Sequence, residues 1–284
     1  MDYIVHNGRL SKRETIAIDM EDRGYQFGDG IYEVIRVYNG KLFAWEGHSN
    51  RLYASAQKIG ITIPYTLEQL KEILEELIIK NELVTGTVYL QFTRGVSPRN
   101  HAFPGNEVLP TFIAYTRESE RPVLQMEAGV DTLVIEDKRW LHCDIKSLNL
   151  LGNILAYDQA IKEGCNEAIL NRDGAITEGS HTNVSIIVGG VLITHPANNL
   201  ILNGITRQIV LKLCEKLSIP YEERTFTTEE LLSADEAFLT STTLEITPIV
   251  KINGQRVGKG LYVTTRKLQE AFLAEIENEC GSLT

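Results

Sequence analysis

Apolar residues recur along the chain with helical spacing in some segments and with the alternation of strands in others. The helical spacing is clearest after residues 66–69, Thr-Leu-Glu-Gln, which have the form of a capping box. The apolar face of this helix consists of Leu70, Ile73, Leu74, Leu77 and Ile78. Further helices are predicted over residues 46–59, 148–162, 205–217 and 263–277. A second capping box, Thr-Thr-Glu-Glu, stands at residues 227–230.

Runs of β-branched and aromatic residues alternate with these helices and predict strands. The strands are expected at residues 31–38, 41–44, 88–93, 111–116, 130–135 and 237–239. Asn39-Gly40 predicts a tight turn, and two hairpins are expected at residues 167–177 and 184–194. Many hairpins with interspersed helices favour an α+β chain over a doubly wound parallel sheet.

A polar stretch that ends in proline predicts the boundary between two domains. We expect an N-terminal domain over residues 1–117, a linker at 118–122 and a C-terminal domain over 123–284. A chain of 284 residues is long enough for two domains with a core each.

Composition narrows the classes of function. The net charge of -10 opposes binding to a phosphate backbone, so nucleic acid is not expected as a partner. The N-terminus lacks the pattern of a signal peptide, and no apolar stretch is long enough to span a membrane. The four cysteines have neither zinc-site nor disulfide spacing, which predicts a reduced, cytoplasmic protein without a metal.

Lys146 is the first candidate for chemistry, and it precedes a predicted helix. For a single lysine, the simpler interpretation is a surface residue whose aliphatic stem packs on apolar neighbours. A functional interpretation requires other groups, because a lysine that forms a Schiff base must be desolvated and held beside an aldehyde.

Three later segments carry such groups. Glu178 lies in a loop between two hairpins, where its carboxylate would cap a turn or pair with a protonated pyridine nitrogen. Gly204 precedes a helix, so the N–H groups of Ile205 and Thr206 would form an anion site, although ordinary helix starts have the same form. Hydroxyl residues at 240–243 would complete a phosphate site or satisfy a turn.

The order of these segments resembles that of the class IV aminotransferases, the fold-type IV enzymes that use pyridoxal phosphate (PLP). After the lysine come Glu-Gly-Ser-x-x-Asn at 178–183, Leu-x-Gly-Ile-Thr-Arg at 202–207 and Thr-Ser-Thr-Thr-x-Glu at 240–245. Residues 27–33 are similar to the family's glycine-rich strand entry. The resemblance covers nearly the whole chain and implies the two-domain α+β fold of D-amino-acid and branched-chain aminotransferases.

The resemblance also implies roles for single residues. Lys146 would form the Schiff base with PLP and move the α-proton, and Glu178 would bind the pyridine nitrogen. The other cofactor-binding residues would be Arg51, Leu202, Ile205, Thr206 and Thr242. Taken alone, Arg51 is equally a solvated arginine of a helix.

The segment at residues 94–104 predicts a loop, because it contains two prolines and a glycine. Arg99 and His101 would project to one side of it and bind a carboxylate, or be two incidental polar residues. Together with Tyr32, the loop resembles the carboxylate-binding site of D-amino-acid aminotransferases, in which it comes from the partner subunit of a homodimer. This implies ping-pong transamination between D-amino acids such as D-alanine and 2-oxo acids such as 2-oxoglutarate.

Several residues depart from the family's pattern without removing a group that the chemistry needs. They are His142, His181, Thr182, Ser185 and Leu244. We expect them to affect substrate preference, cofactor retention or rate, and we expect His181 to line the site or form hydrogen bonds rather than act in catalysis. Trp140 would lie near the site by the same analogy, or be a buried structural tryptophan.

Three alternatives share the fold. A branched-chain L-amino-acid aminotransferase would have no reason to carry the Arg-x-His loop. Aminodeoxychorismate lyase uses the same lysine and glutamate for elimination, and a D-selective amine transaminase does not need to bind a carboxylate. A scaffold that binds no cofactor is disfavoured by the joint presence of the lysine, the glutamate and the phosphate motif.

Overall fold

The computed structural model describes residues 2–258 and 260–283, which divide into two units. The first unit comprises Met1–Glu120, Ile145–Asn149 and Ile276–Thr284, and the second comprises Arg121–Asp144 and Leu150–Glu275. The change after Glu120 falls within the linker expected at residues 118–122. The second unit differs from the uninterrupted domain expected over 123–284, because residues 145–149 hydrogen-bond to a strand of the first unit.

The first unit is built on one antiparallel sheet. Its strands are β1 (Tyr3–His6), β2 (Arg9–Lys12), β3 (Gly30–Tyr38), β4 (Lys41–Leu42), β5 (Gly86–Thr93) and β6 (Thr111–Glu118). Within the described residues the order is β2-β1-β6-β5-β3-β4. Asn39 and Gly40 have φ values of 50° and 72°, as a two-residue hairpin turn requires, so the predicted turn is confirmed. The strand β4 is shorter than expected, because Ala44 adopts a φ of 54° and begins the next helix.

Helices cover this sheet. They are α1 (Arg23–Phe27), α2 (Trp45–Lys58) and α3 (Leu67–Lys80), with a 3-10 turn at Arg13–Thr15. The capping box predicted for α3 is present in both directions between Thr66 and Gln69. Leu70, Leu74 and Leu77 are fully buried in the core of the unit, as the helical spacing predicted.

The second unit contains a mixed sheet. Its strands are β7 (Val130–Glu136), β8 (Glu167–Arg172), β9 (Ala175–Gly179), β10 (Asn183–Val188), β11 (Val191–Thr194), β12 (Tyr221–Glu223), β13 (Glu236–Ser241), β14 (Glu245–Ile252) and β15 (Gln255–Arg256). Among the described residues the order is β12-β11-β10-β13-β14-β7-β8-β9, and β15 pairs with β14. The strand β7 runs parallel to both β8 and β14, and β12 runs parallel to β11.

Most helices of the second unit were predicted from the sequence, but the first of them was not. They are α4 (Val123–Ala128), α5 (Leu151–Lys162), α6 (Ile205–Leu217), α7 (Thr228–Ser233) and α8 (Val263–Cys280), of which α8 continues into the first unit at Ile276. The capping box of Thr227 and Glu230 opens α7. The helix α5 begins three residues later than expected, because the amide of Leu148 binds the carbonyl oxygen of Gly30 instead. In the part of the chain that the structure describes, no helix has the length and apolar character needed to cross a membrane.

Candidate active site

Lys146 lies on the short segment that pairs with β3 in the first unit. Its carbonyl oxygen accepts from the amide of Tyr32 at 3.0 Å, and its amide donates to Ser55 Oγ at 3.2 Å. Because both the carbonyl and the amide of Lys146 are hydrogen-bonded, the position of its Cα is fixed, and the side chain itself is half-buried. Its Nζ lies 4.3 Å from the centroid of the Tyr32 ring, a cation–π distance. Lys146 and Tyr32, predicted from distant segments, therefore lie in contact.

Glu33, the residue after Tyr32 in β3, forms a buried charged cluster with His48 and Arg51. The Arg51 guanidinium donates to both carboxylate oxygens of Glu33, at 2.6 and 2.9 Å, and His48 Nδ1 lies 2.9 Å from Glu33 Oε2. Burial by itself would raise the pKa of Glu33, but Arg51 and His48 outweigh it and hold the pKa well below its usual range. Burial lowers the pKa of His48, although the neighbouring Glu33 carboxylate opposes this shift. Arg51 thus has an anchored guanidinium rather than the solvated one that its helix position alone allowed.

The Arg-x-His loop is folded against α1. The guanidinium carbon of Arg99 lies 4.7 Å from the centroid of the Phe27 ring, and the His101 ring lies 5.7 Å from the same centroid. Both polar side chains are exposed. Arg99 and His101 therefore both contact Phe27, and their projection to one side of the loop stays a prediction.

In the second unit, Glu178 is a buried carboxylate with fixed orientation. Oε1 accepts from the guanidinium of Arg139, and Oε2 accepts from Asn183 Nδ2 and from the amide of Leu202, each at 3.0 Å. Burial raises the pKa of Glu178 to about 7, although the charge of Arg139 opposes this shift. Arg139 is itself shared with Asp137, which it contacts through Nε and Nη2. A further cationic group beside Glu178 would stabilise its ionised form.

The start of α6 adjoins Glu178 through Asn183. Asn183 Nδ2 also donates to the carbonyl oxygen of Leu202 at 2.8 Å, and a Cβ on Gly204 would lie 2.1 Å from Asn183 Oδ1. Only glycine fits this approach, so the turn before the helix is packed tightly on the amide that holds Glu178. Among the residues that the structure describes, no side chain caps α6, which leaves the N–H groups of Ile205 and Thr206 for another acceptor.

The strand beside Asn183 supplies a further polar group. Thr240 pairs with Asn183 in the register of β10 and β13, and it is 2% exposed. Its Oγ1 has no hydrogen-bond partner among the described residues. Thr242, the predicted phosphate contact, lies half-buried in the turn that follows β13.

These groups fit PLP by their chemistry. Uncapped amides of Ile205 and Thr206 and the orphaned hydroxyl of Thr240 suit a phosphate, since buried donors are normally paired. The buried carboxylate of Glu178, with its raised pKa, suits a protonated pyridine nitrogen. The sequence contains no signal for Arg139, and it indicated Thr240 only as one of the hydroxyl residues at 240–243. Burial and pairing distinguish these two residues from other arginines and threonines.

The departures from the family's pattern occupy different environments. His181 and Thr182 both contact the buried carboxylate of Glu167, the histidine through Nδ1 at 2.9 Å and the threonine through Oγ1 at 3.1 Å. His181 therefore forms hydrogen bonds, as predicted. Ser185 is buried, Leu244 is half-buried and His142 is exposed. Trp140 is 42% exposed, so its interpretation as a buried structural tryptophan is wrong.

Comparison with known proteins identifies the family. The family model described as Amino-transferase class IV matches residues 30–252. The D-alanine aminotransferase of Listeria monocytogenes serotype 1/2a is 51% identical over 283 residues, covering 99% of this chain and 98% of that protein. The D-alanine aminotransferase of Staphylococcus aureus strain COL is 48% identical over 279 residues, covering 98% and 99%.

Solved structures show the same fold. The branched-chain amino acid aminotransferase of Escherichia coli aligns with a TM-score of 0.89 at 27% identity, covering 96% of this chain and 94% of that one. The branched-chain aminotransferase of Thermoproteus uzoniensis aligns with a TM-score of 0.88 at 28% identity, covering 98% and 96%. The predicted fold class and family are confirmed by these matches. The chain belongs to the class IV aminotransferases, enzymes whose cofactor is PLP.

Proposed function

We propose that this chain transfers amino groups between D-amino acids such as D-alanine and 2-oxo acids such as 2-oxoglutarate. The observation that carries the proposal is that Arg99 and His101 both contact the Phe27 ring and are both exposed. An arginine with an adjacent donor is suited to a substrate carboxylate. The identity of about half the residues to D-alanine aminotransferases, over nearly the whole chain, supports the same substrate class.

Each chemical role in the proposed reaction has a candidate residue in this chain. When bound, PLP supplies an aldehyde that links to amines and a ring that withdraws electrons from the α-carbon. Lys146 would hold the aldehyde and carry the α-proton at Nζ, with the Tyr32 ring facing its ammonium group. Glu178 would accept from the ring nitrogen, in an orientation set by Arg139 and Asn183.

The phosphate would be bound by the remaining residues of the predicted set. Ile205 and Thr206 offer uncapped backbone amides at the start of α6, where the helix dipole favours an anion. Leu202, Thr242 and Arg51 complete the set proposed from the sequence. We add Thr240, because its buried hydroxyl has no partner among the described residues.

The position at which the substrate carboxylate is bound would determine which enantiomer of the amino acid reacts. Proton removal requires the bond from the α-carbon to hydrogen to face the base, here Lys146. With the carboxylate fixed by Arg99, His101 and Tyr32, only one enantiomer can present its hydrogen in that direction. In the first half-reaction the 2-oxo product would leave while the cofactor retains the amino group. In the second, a different 2-oxo acid would accept that amino group and leave as an amino acid, which completes a ping-pong cycle.

We also propose that the chain acts as a homodimer in the cytoplasm, with Arg99 and His101 supplied by the partner subunit. Large apolar side chains are exposed near the loop in the first unit and along α5 in the second. They include Met20, Tyr25, Phe103 and Leu109 in the first unit, and Leu151, Ile154, Leu155 and Ile161 in the second. Patches of this kind mark surfaces that a second protein covers, and a symmetric pair of copies is the commonest solution. The four free thiols support a reducing location.

A spectroscopic experiment tests the substrate class. The purified protein is mixed separately with D-alanine, L-alanine and L-valine, and the visible absorbance of the bound cofactor is followed. We expect the band to be lost with D-alanine alone, and we expect Lys146→Ala to show no turnover with any donor. Loss of the band with L-valine instead would favour the branched-chain alternative. Normal turnover by Lys146→Ala would reject the assignment of the lysine.

A further inference from the structure

Arg23 holds the backbone of the Arg-x-His loop at the two residues that follow its binding groups. Arg23 Nη1 donates to the carbonyl oxygen of Asn100 at 2.6 Å and lies 3.4 Å from that of Ala102. These carbonyls bracket His101, and Asn100 directly follows Arg99. The position of both polar side chains therefore depends on where one guanidinium sits.

The guanidinium is itself tightly anchored. Arg23 is 3% exposed, and its Nε donates to Asp29 Oδ2 at 2.8 Å. Its guanidinium carbon lies 4.8 Å from the centroid of Phe27, the ring that also supports Arg99 and His101. A buried arginine with a carboxylate partner and a stacked ring keeps few alternative rotamers.

A second arginine fixes the same carboxylate. Arg94 Nε donates to Asp29 Oδ2 at 2.8 Å, and its guanidinium carbon lies 3.7 Å from the centroid of Phe103. Phe103 lies in the same loop, and its ring centroid lies 5.8 Å from the guanidinium carbon of Arg23. Arg94, at the start of the loop, and Arg23, which binds its middle, therefore both donate to the carboxylate of Asp29.

We propose that Arg23 is a positioning residue that sets Arg99 and His101 for the substrate carboxylate. This inference rests on the proposed role of those two residues. Arg23 is buried and contacts the loop through two backbone carbonyl oxygens, so its removal should weaken recognition of the carboxylate while leaving the reaction of the amino group intact. A displacement of about 1 Å in a binding group can cost up to about a hundredfold in rate.

The test compares two donors that differ only in the carboxylate. D-alanine carries it, and D-alaninol has a hydroxymethyl group in its place. In the holoenzyme with Arg23→Met, we expect kcat/KM for D-alanine to fall by about tenfold to a hundredfold, mostly through KM, with that for D-alaninol little changed. Equal losses for the two donors would overturn the inference.

A double-mutant cycle separates a positioning role from a general one. Once Arg99→Ala and His101→Ala have removed the binding groups, adding Arg23→Met should cause no further loss of kcat/KM for D-alanine. An additive loss would overturn the inference. If the Arg99→Ala and His101→Ala pair were not selective for D-alanine, the proposed role of the loop would fail. If it were selective and Arg23→Met were not, only the inference about Arg23 would fail.

A matched control is available in the same unit. Arg36 is 2% exposed, donates to Ser119 Oγ and to its carbonyl oxygen, and stacks on Tyr38. Arg36→Met should lower stability without changing the ratio of the two donors. If Arg23→Met does not fold, Arg23→Lys keeps a charge beside Asp29 but loses the rigid fork, and should show a smaller loss of the same selectivity. An unchanged ratio in that variant would overturn the inference.

Discussion

At the scale of single residues, the buried carboxylates of Glu33 and Glu178 differ in how far neighbouring cationic groups compensate their charge. Glu33 has two partners, and they hold the pKa of its carboxyl well below its usual range. Glu178 shares the guanidinium of Arg139 with Asp137, and burial raises the pKa of its carboxyl to about 7. A carboxylate with incomplete compensation is suited to bind a cationic group, whereas a fully compensated one is suited to a structural role.

Glu33 allows a prediction about pH. A carboxyl whose pKa is lower in the folded state stabilises the fold above its unfolded pKa, and this contribution is lost as the pH falls. We expect Glu33→Gln to lower the free energy of unfolding at pH 7 by about 3–5 kcal/mol, because Arg51 loses its buried partner.

The same variant should lose less stability than the wild type between about pH 5 and pH 3. Urea unfolding at a series of pH values measures both effects. Parallel pH profiles for the two proteins would show that Glu33 has no depressed pKa.

At the scale of elements, local signals and long-range bonds decide different boundaries. The helices α3 and α7 begin at capping boxes, which are complete within four residues. The helix α5 begins later than predicted, because Leu148 is bonded to β3, more than a hundred positions earlier in the chain. The hairpin of β1 and β2 was not predicted, although Asn7 and Gly8 form its turn with φ values of 49° and 77°. Its strands are only four residues long, too short for a clear alternation.

The capping box of α3 gives a prediction at this scale. Thr66 Oγ1 accepts from the amide of Gln69 at 3.2 Å, and the exposed side chain has no role in the proposed site. We expect Thr66→Ala to lower the free energy of unfolding by about 1 kcal/mol, and Thr66→Ser to retain most of it. Chemical denaturation provides the measurement. A higher KM for D-alanine in Thr66→Ala would mean that the helix has a part in substrate binding.

At the scale of the whole molecule, the proposed dimer predicts complementation between defective subunits. If Arg99 and His101 act in trans, a Lys146→Ala subunit can lend its intact loop to a subunit that carries Arg99→Ala and His101→Ala. The inactive Lys146→Ala protein and the impaired loop variant, unfolded together and refolded as a mixture, should then recover about one quarter of wild-type activity, since half the dimers are mixed and each has one intact site.

Sedimentation velocity gives the oligomeric state of each protein in this experiment. Refolding each variant separately serves as the control, and neither should gain activity. Mixed dimers that form without recovering activity would place the loop and the lysine of a site in the same subunit.

The order of motifs along the chain determined the family, since a lysine, a glutamate loop and a glycine-led helix in that order are specific together. The hydrophobic spacing determined most helices and strands for a similar reason: periodicity and caps are local properties of the chain. The tertiary structure decided what depends on burial and on contacts between distant segments. It assigned Lys146 to the first unit, gave Glu178 the partner Arg139, and placed Arg23 under the loop of Arg99 and His101. These pairings join residues dozens of positions apart, and no local pattern in the chain encodes which distant charge a buried group will meet.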